Sequence, residues 1–455
     1  METPSITPEE RVEQNKVSDI KIGEKIKGKI PAIEIRKTKE VEPGTIENGK
    51  YRFTKKLGEG AMGSVWEVDD ITKCYEKNGK EECANAVVKV LKSGATVTEQ
   101  AKQRLRQELD TMIKSESEFV ARVYDVYEEE GETRIVMEKI NGKDGGDLLK
   151  DMLKNREQYS PERREQLGAA IAYQVALALE EMQKVGIVHR DLKVANIMLV
   201  DGVFENFPLV KVLDFGVAKE MQPEENSTKP FDSQNFLPIT PNETPQMNNL
   251  TRDGVIMGTP FYMPPEMGDS FLDKKTSPRD SEFAKADTYA LAMMSYIITA
   301  ANNPFSMKNR KDAFVREQKK NNEFPPLHEQ LGYESPTRYT QLIETLMDGD
   351  PTERQIMIID KDGVRKRLSE MQEGEGYEDK TIISLKNPTE IKTAIRDAIV
   401  EEYPELAQED PFSITALPSR DKQSSSPTQQ EESPQPPATT PPKSGFFNKI
   451  KGLFS

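Results

Sequence analysis

The chain has 455 residues, 35% hydrophobic and 31% charged, with a formal net charge of −15. That length accommodates one large domain or two modest ones with tails, and the low apolar share places a good part of it outside any core. The acidic balance argues against broad nucleic-acid affinity, because binding phosphates over a large surface needs an excess of Lys and Arg.

The N-terminus, METPSITPEERVEQ, lacks the basic start and apolar run of a secretory signal. The longest strongly apolar run covers residues 289–301. It is shorter than the roughly 18–20 residues that span a bilayer, so it reads as a buried helix in a cytoplasmic chain. Cys74 and Cys83 flank a polar stretch and have no metal-ligand companions. Free thiols are expected for them, with a disulfide as the alternative.

In chain order, residues 1–50 form a polar arm rich in Lys and Glu and broken by Pro and Gly, expected to be disordered. From Tyr51 the texture changes to β-type alternation around Gly58, Gly60 and Gly63, and again at 86–91. Residues 98–113 read as a helix, with Leu105, Leu109 and Met112 at spacings of four and three, and 134–140 as a strand. A longer helix is signalled over 161–185, with Pro161 at its start and Ile171, Val175, Leu179 and Met182 on one face. Helical patterns continue over 287–301 and 337–347, and no internal repeat is present. Strands first and helices later suggest an α+β plan with two lobes. Residues 221–256, rich in Asn, Pro, Thr and Gln, read as a long loop, and 418–444 as a Pro/Ser/Thr-rich disordered linker.

The most informative stretch is HRDLKVAN at 189–196, followed at 214–216 by Asp-Phe-Gly. It places Asp191, Lys193 and Asn196 on one short loop, with a second acid, Asp214, downstream. That set can orient a hydroxyl nucleophile, contact a transferring phosphate and hold magnesium. Gly58, Gly60 and Gly63 form G-x-G-x-x-G, in which glycine lets the backbone approach phosphates closely. A dinucleotide-binding fingerprint would open a helix there. Here Val65-Trp66-Glu67-Val68 continues as a strand instead.

These motifs closely resemble those of eukaryotic-type (Hanks-type) serine/threonine protein kinases, over roughly residues 51–370 and in the family's order. The resemblance implies a bilobal α+β fold, with a small β-rich N-lobe and a larger helical C-lobe. It implies ATP and Mg2+ as cofactors, with Mn2+ as an alternative ion, and protein substrates. By it, Asp191 orients the substrate hydroxyl and accepts its proton, Lys193 contacts the γ-phosphate, and Asn196 with Asp214 holds the metal. His189 is then a packing and hydrogen-bonding residue. Lys89, in the V-A-I-K-like strand 86–89, contacts the α and β phosphates with Glu108 as its anionic partner.

The resemblance places Leu57, Gly58, Gly60, Gly63, Val65, Val87 and Met198 along the nucleotide site. By the match of 134–140 to the family's strand and hinge, Met137 would be the gatekeeper and Glu138, Lys139 and Ile140 the hinge. Residues 258–266 (GTPFYMPPE) resemble the segment that shapes a peptide groove, Asp287 begins the helix that anchors the catalytic loop, and 350–354 resemble D-P-x-x-R. Glu266 and Arg354 are then a buried ion pair, and Thr259 contacts Lys193 and Asp191.

Lys193 favours Ser/Thr over Tyr, and GAMG at 60–63 with KVLDFGVAK at 211–219 is closer to bacterial members. Four departures stand out. Val87 and Pro264 replace alanines, Val194 replaces a common proline, and the stretch from Asp214 to Glu266 carries an insertion at 221–256. That insertion holds Ser227, Thr228, Thr240, Thr244 and Thr251. Arg190 before the catalytic aspartate goes with control by activation-segment phosphorylation, so autophosphorylation over 221–259 is expected.

The kinase domain is thus placed at 51–370, a C-terminal helical extension at 371–417, and a short basic amphipathic tail at 445–455. The tail suits an anionic membrane surface, a partner groove, or no partner at all. The competing functional class is a nucleotide-binding pseudokinase scaffold acting through its tails. It would need a broken catalytic residue, and Lys89, Asp191, Asn196 and Asp214 are all present. A lipid or small-molecule kinase is opposed by the peptide-groove segment at 258–266.

Overall fold

The computed structural model describes residues 41–60, 63–77, 80–91, 107, 109–113, 117–213, 261–267, 280–305, 312–371 and 377–413. The insertion, the linker, the tail, Glu108, Asp214 and Thr259 lie outside them.

The first lobe is a six-stranded sheet in the order β1-β2-β3-β4-β6-β5. Its strands are β1 (Ile46–Glu47), β2 (Tyr51–Gly60), β3 (Gly63–Lys77), β4 (Lys80–Leu91), β5 (Val123–Glu129) and β6 (Glu132–Glu138). Period-two alternation gives this sheet its two faces. Tyr51, Phe53, Trp66, Val68, Ala86, Val88, Val90 and Val136 close a small core on one face. On the other, Val65 pairs opposite Lys89, Lys89 opposite Ile135, and Val87 opposite Met137. Ile135 and Met137 join the large core that runs into the second lobe.

The arm expected to end at residue 50 needs correcting at its C-terminal end. Ile46–Glu47 pairs with β2, and Glu47 is buried. Its carboxylate accepts Arg134 Nε at 2.9 Å, Arg134 Nη2 at 3.3 Å and the Tyr127 hydroxyl at 3.0 Å. A buried guanidinium needs such a partner, so β1 belongs to the sheet. The free-thiol expectation is also overturned. Antiparallel pairing of β3 with β4 sets Cys74 directly opposite Cys83, and the two form a disulfide.

The second lobe begins with β7 (Lys143–Asp144) and α1 (Gly145–Lys154), capped by the Asp144 side chain on the Asp147 N–H. Helix α2 (Pro161–Lys184) has Ser160 as N-cap and proline in its first turn, and is buried on nearly every side from Leu167 to Glu180. Its small residues permit close neighbours. A Cβ on Gly168 would lie 1.9 Å from the Thr299 hydroxyl oxygen on the helix packed against it.

After residues 189–196, β8 (Ile197–Val200) and β9 (Leu209–Val212) complete a three-stranded sheet with β7. Then follow α3 (Asp280–Ala300), α4 (Asp312–Lys320), α5 (Leu327–Leu331) and α6 (Arg338–Leu346). The described part of the 98–113 segment is helical, with Leu109 and Met112 in the large core.

The C-terminal extension is not purely helical. Strand β12 (Thr381–Ser384) pairs with β10 (Ile356–Ile359), which also pairs with β11 (Arg365–Lys366), so one sheet crosses the boundary expected near residue 370. Helix α7 (Pro388–Glu402) then lays Ile391, Ala394, Ile395, Ala398 and Ile399 into the large core. Phe412 ends fully buried against Tyr173 of α2 and Phe207. The physical reason is that α2 is buried on nearly every side, so it needs cover from further elements besides α3. Among the described residues no helix is long and apolar enough to cross a membrane.

Candidate active site

The loop 189–196 leaves α2 through Gly186, at φ 75°, and enters β8. Asp287 on α3 holds its start. One carboxylate oxygen accepts the His189 N–H at 2.7 Å and the other the Arg190 N–H at 2.8 Å. Arg190 sits at φ 61°, a left-handed conformation that side chains other than glycine adopt rarely. The fully buried His189 ring accepts the Asp191 N–H at Nδ1, 3.2 Å, which leaves Nε2 to donate to the Leu213 carbonyl at 2.8 Å. Both ring nitrogens of His189 are thus engaged by the backbone, of its own loop and of Leu213.

Asp191 is buried, and its Oδ2 accepts Lys193 Nζ at 2.7 Å and Asn196 Nδ2 at 3.1 Å. The same Asn196 amide nitrogen donates to the Asp191 carbonyl at 2.9 Å. With the nitrogen committed to Asp191, the Asn196 oxygen is the acceptor left on that side chain, a hard ligand suited to Mg2+ or Mn2+. The Asn196 carbonyl accepts the Leu213 N–H at 2.8 Å, stitching the residue before Asp214 to the loop. The structure thus brings Asp191, Lys193 and Asn196 together.

In the first lobe, the glycine-rich hairpin pairs Gly58 with Val65 and Gly60 with Gly63. Gly63 has φ 147°, and a Cβ there would lie 1.9 Å from the Val90 carbonyl oxygen on β4, so no other residue fits. Val65, Val87, Met137, Ile140 and Met198 are half-buried and Leu57 is exposed, which suits residues lining an open cleft.

Residues 138–140, expected from the sequence to be the hinge, carry two ion pairs that sequence reasoning missed. Glu138 accepts Lys211 Nζ of β9 at 3.0 Å, and Lys139 donates to Glu67 of β3 at 2.6 Å. Lys211 is 5% exposed in a strand otherwise made of Leu209, Val210 and Val212. A lone charge in so apolar a strand was the available signal that it needed a partner.

Glu266 pairs with Arg354, which also donates to the Asp348 carbonyl at 2.8 Å and sits 5.3 Å from the Tyr289 ring centre. The pair is only half sequestered. The Arg354 side chain is 7% exposed and that of Glu266 38%, because Glu266 closes the segment at the surface. Asp348 is itself buried beneath Arg365 and Arg367, each at 2.9 Å.

Residues 51–358 match the protein kinase domain, and the chain belongs to that family. It is 28% identical over 316 residues to the serine/threonine-protein kinase PknA of Mycobacterium tuberculosis, covering 68% of this chain and 59% of that protein. It is 26% identical over 260 residues to a probable serine/threonine-protein kinase, CE0033, of Corynebacterium efficiens, covering 56% and 31%. The chain thus spans from under a third to under two thirds of the length of these relatives. Among solved structures it is similar to the kinase domain of Mycobacterium tuberculosis PknI, with TM-score 0.45 and 18% identity, covering 79% of this chain and 100% of that one.

Proposed function

We propose that the chain is a serine/threonine protein kinase that transfers the γ-phosphate of ATP to protein hydroxyls. The observation that carries this reading is the loop geometry, in which Asp191 is gripped by Lys193 and Asn196 while Asp287 fixes the backbone that presents it. In the proposed reaction Asp191 orients the acceptor hydroxyl and takes its proton, a new O–P bond forms, and the bond to the leaving ADP breaks. Lys193 shifts from Asp191 to the transferring phosphate, and Lys89 holds the α and β phosphates. Leu57, Val65, Val87, Met137 and Met198 enclose the adenine, with backbone groups of Glu138 and Ile140 bonding its edge. A divalent ion, Mg2+ or Mn2+, held by Asn196 and Asp214, would neutralise charge on the phosphates.

The test is transfer of label from γ-labelled ATP to myelin basic protein by wild type and by Asp191→Asn. Loss of label by at least about a hundredfold is expected for a misplaced proton acceptor; equal labelling would defeat the reading. Autophosphorylation over 221–259 belongs to the same proposal and is checked by mass spectrometry after incubation with Mg-ATP. The five apolar side chains and two lysines of residues 445–455 support contact with an anionic membrane or a partner groove. Liposome co-sedimentation with and without that segment tests it, and unchanged binding would dismiss the membrane.

A further inference from the structure

Lys319, on the last turn of α4, is 2% exposed. Its ammonium donates to the carbonyls of Phe261 and Met263, both at 2.6 Å. It is also boxed by rings, 5.5 Å from the centres of Phe261 and Tyr289 and 5.8 Å from that of Phe305. An apolar side chain of similar length would fill such a box without the cost of desolvating a charge. What methionine could not do is hold two carbonyls that stand two residues apart.

Those carbonyls belong to the segment leading into Glu266. Tyr262, between them, is fully buried. Burial raises its hydroxyl above the usual range, the Val194 backbone opposes this and the Asp191 carboxylate adds to it. The end of α4 is itself anchored. A Cβ at Gly349 would lie 2.5 Å from the carbonyl oxygens of Lys319 and Lys320, and Asn322 bonds Asp348 at 3.2 Å and the Gly349 N–H at 2.7 Å. Arg354, which grips Glu266, shares the Tyr289 ring with Lys319. Tyr289 lies on α3 two residues after Asp287, which holds the catalytic loop.

We infer that Lys319 is a positioning residue for the protein substrate: its charge sets the 261–266 segment at a fixed height relative to Asp191. The inference rests on the kinase reading for its kinetic consequence but not for its structural one.

The test compares Lys319→Met and Lys319→Arg with wild type. For Lys319→Met, KM for myelin basic protein is expected to rise about tenfold or more, the scale of one lost hydrogen bond to a charged group, while KM for ATP changes less than about twofold. Lys319→Arg, which keeps charge and donors, is expected closer to wild type. Amide exchange of residues 261–267 is expected to quicken in Lys319→Met with exchange of β3 and β4 unchanged, whether or not the protein phosphorylates the probe. Unchanged exchange in 261–267, or equal rises in both KM values, would overturn the inference. A wild type that phosphorylates nothing would instead count against the kinase reading and leave the exchange comparison to decide on Lys319.

Discussion

The carboxylate of Asp287 accepts the backbone N–H of Arg190 at 2.8 Å, and through it a helix of the second lobe dictates a left-handed turn one residue before Asp191, the proposed proton acceptor. A φ of 61° at an arginine is retained only where surrounding contacts over-determine it. Asp287 also takes the neighbouring His189 N–H at 2.7 Å, so both contacts come from one side chain ninety-odd residues away.

Asp287→Asn is therefore expected to loosen the loop without dismantling α3. Each lost charge-assisted bond is worth about 1.5–3 kcal/mol. Expressed in the barrier, that is roughly a 10- to 100-fold fall in kcat. Initial rates with myelin basic protein, read beside the melting temperature, check it; a fall in melting temperature with unchanged kcat would contradict it.

The hinge pairs lead to a second expectation. Lys211 is buried and bonds Glu138 at 3.0 Å, so Lys211→Met leaves the Glu138 carboxylate without that partner next to the backbone proposed to bind adenine. ATP affinity is expected to weaken several-fold, about 1 kcal/mol or more on the scale of a lost ionic hydrogen bond. Calorimetric titration with a non-hydrolysable ATP analogue measures this directly, and the double variant Lys211→Met with Glu138→Gln should recover part of the loss.

Phe412 tests whether the C-terminal residues are part of the folded unit. It is fully buried against Tyr173 and Phe207, and its carbonyl accepts Arg396 Nε at 2.9 Å. Phe412→Ala is expected to cost about 3–5 kcal/mol, the usual range for emptying a buried aromatic site. Urea denaturation reads the loss. A chain cut at residue 376, which would also uncover α2, is expected to be worse still.

Glu180 supplies a pH dependence with a defined sign. Burial pushes its carboxyl up, but the bonds from Lys392 Nζ at 2.7 Å and the Thr389 hydroxyl at 2.6 Å more than offset this and hold it below the usual range. A depressed folded-state value means that its contribution is complete above the unfolded carboxylate range and is lost as pH falls through the folded value. Glu180→Gln should thus cost about 1–2 kcal/mol at pH 7, and the gap to wild type should narrow below about pH 4. Denaturation curves at the two pH values settle it; a constant gap would show that the charge is irrelevant.

Much of the site was legible because its signals are local. The spacing of Asp191, Lys193 and Asn196 within one loop, the alternation that puts Val87 and Lys89 on one sheet face, and the capped period of α2 are each written within neighbouring residues. Chain geometry converts such spacings directly into shared faces and turns. The family motifs carried the rest of that reading, including the reach of Asp287 to the loop and of Arg354 to Glu266.

Other relationships needed the folded chain. Nothing near Arg134 says that Glu47 is its partner, nothing near Lys211 points to Glu138, and Lys319 looks like one more lysine at the end of a polar helix. Cys74 and Cys83 became a pair only when β3 and β4 took their register. The reason is physical: a sequence states which groups carry charge, but the cost that forces a charge to find a partner appears only once water has been removed from around it. Local pattern determined the catalytic loop and the elements that bear it; desolvation in the tertiary structure decided which distant side chains hold those elements in place.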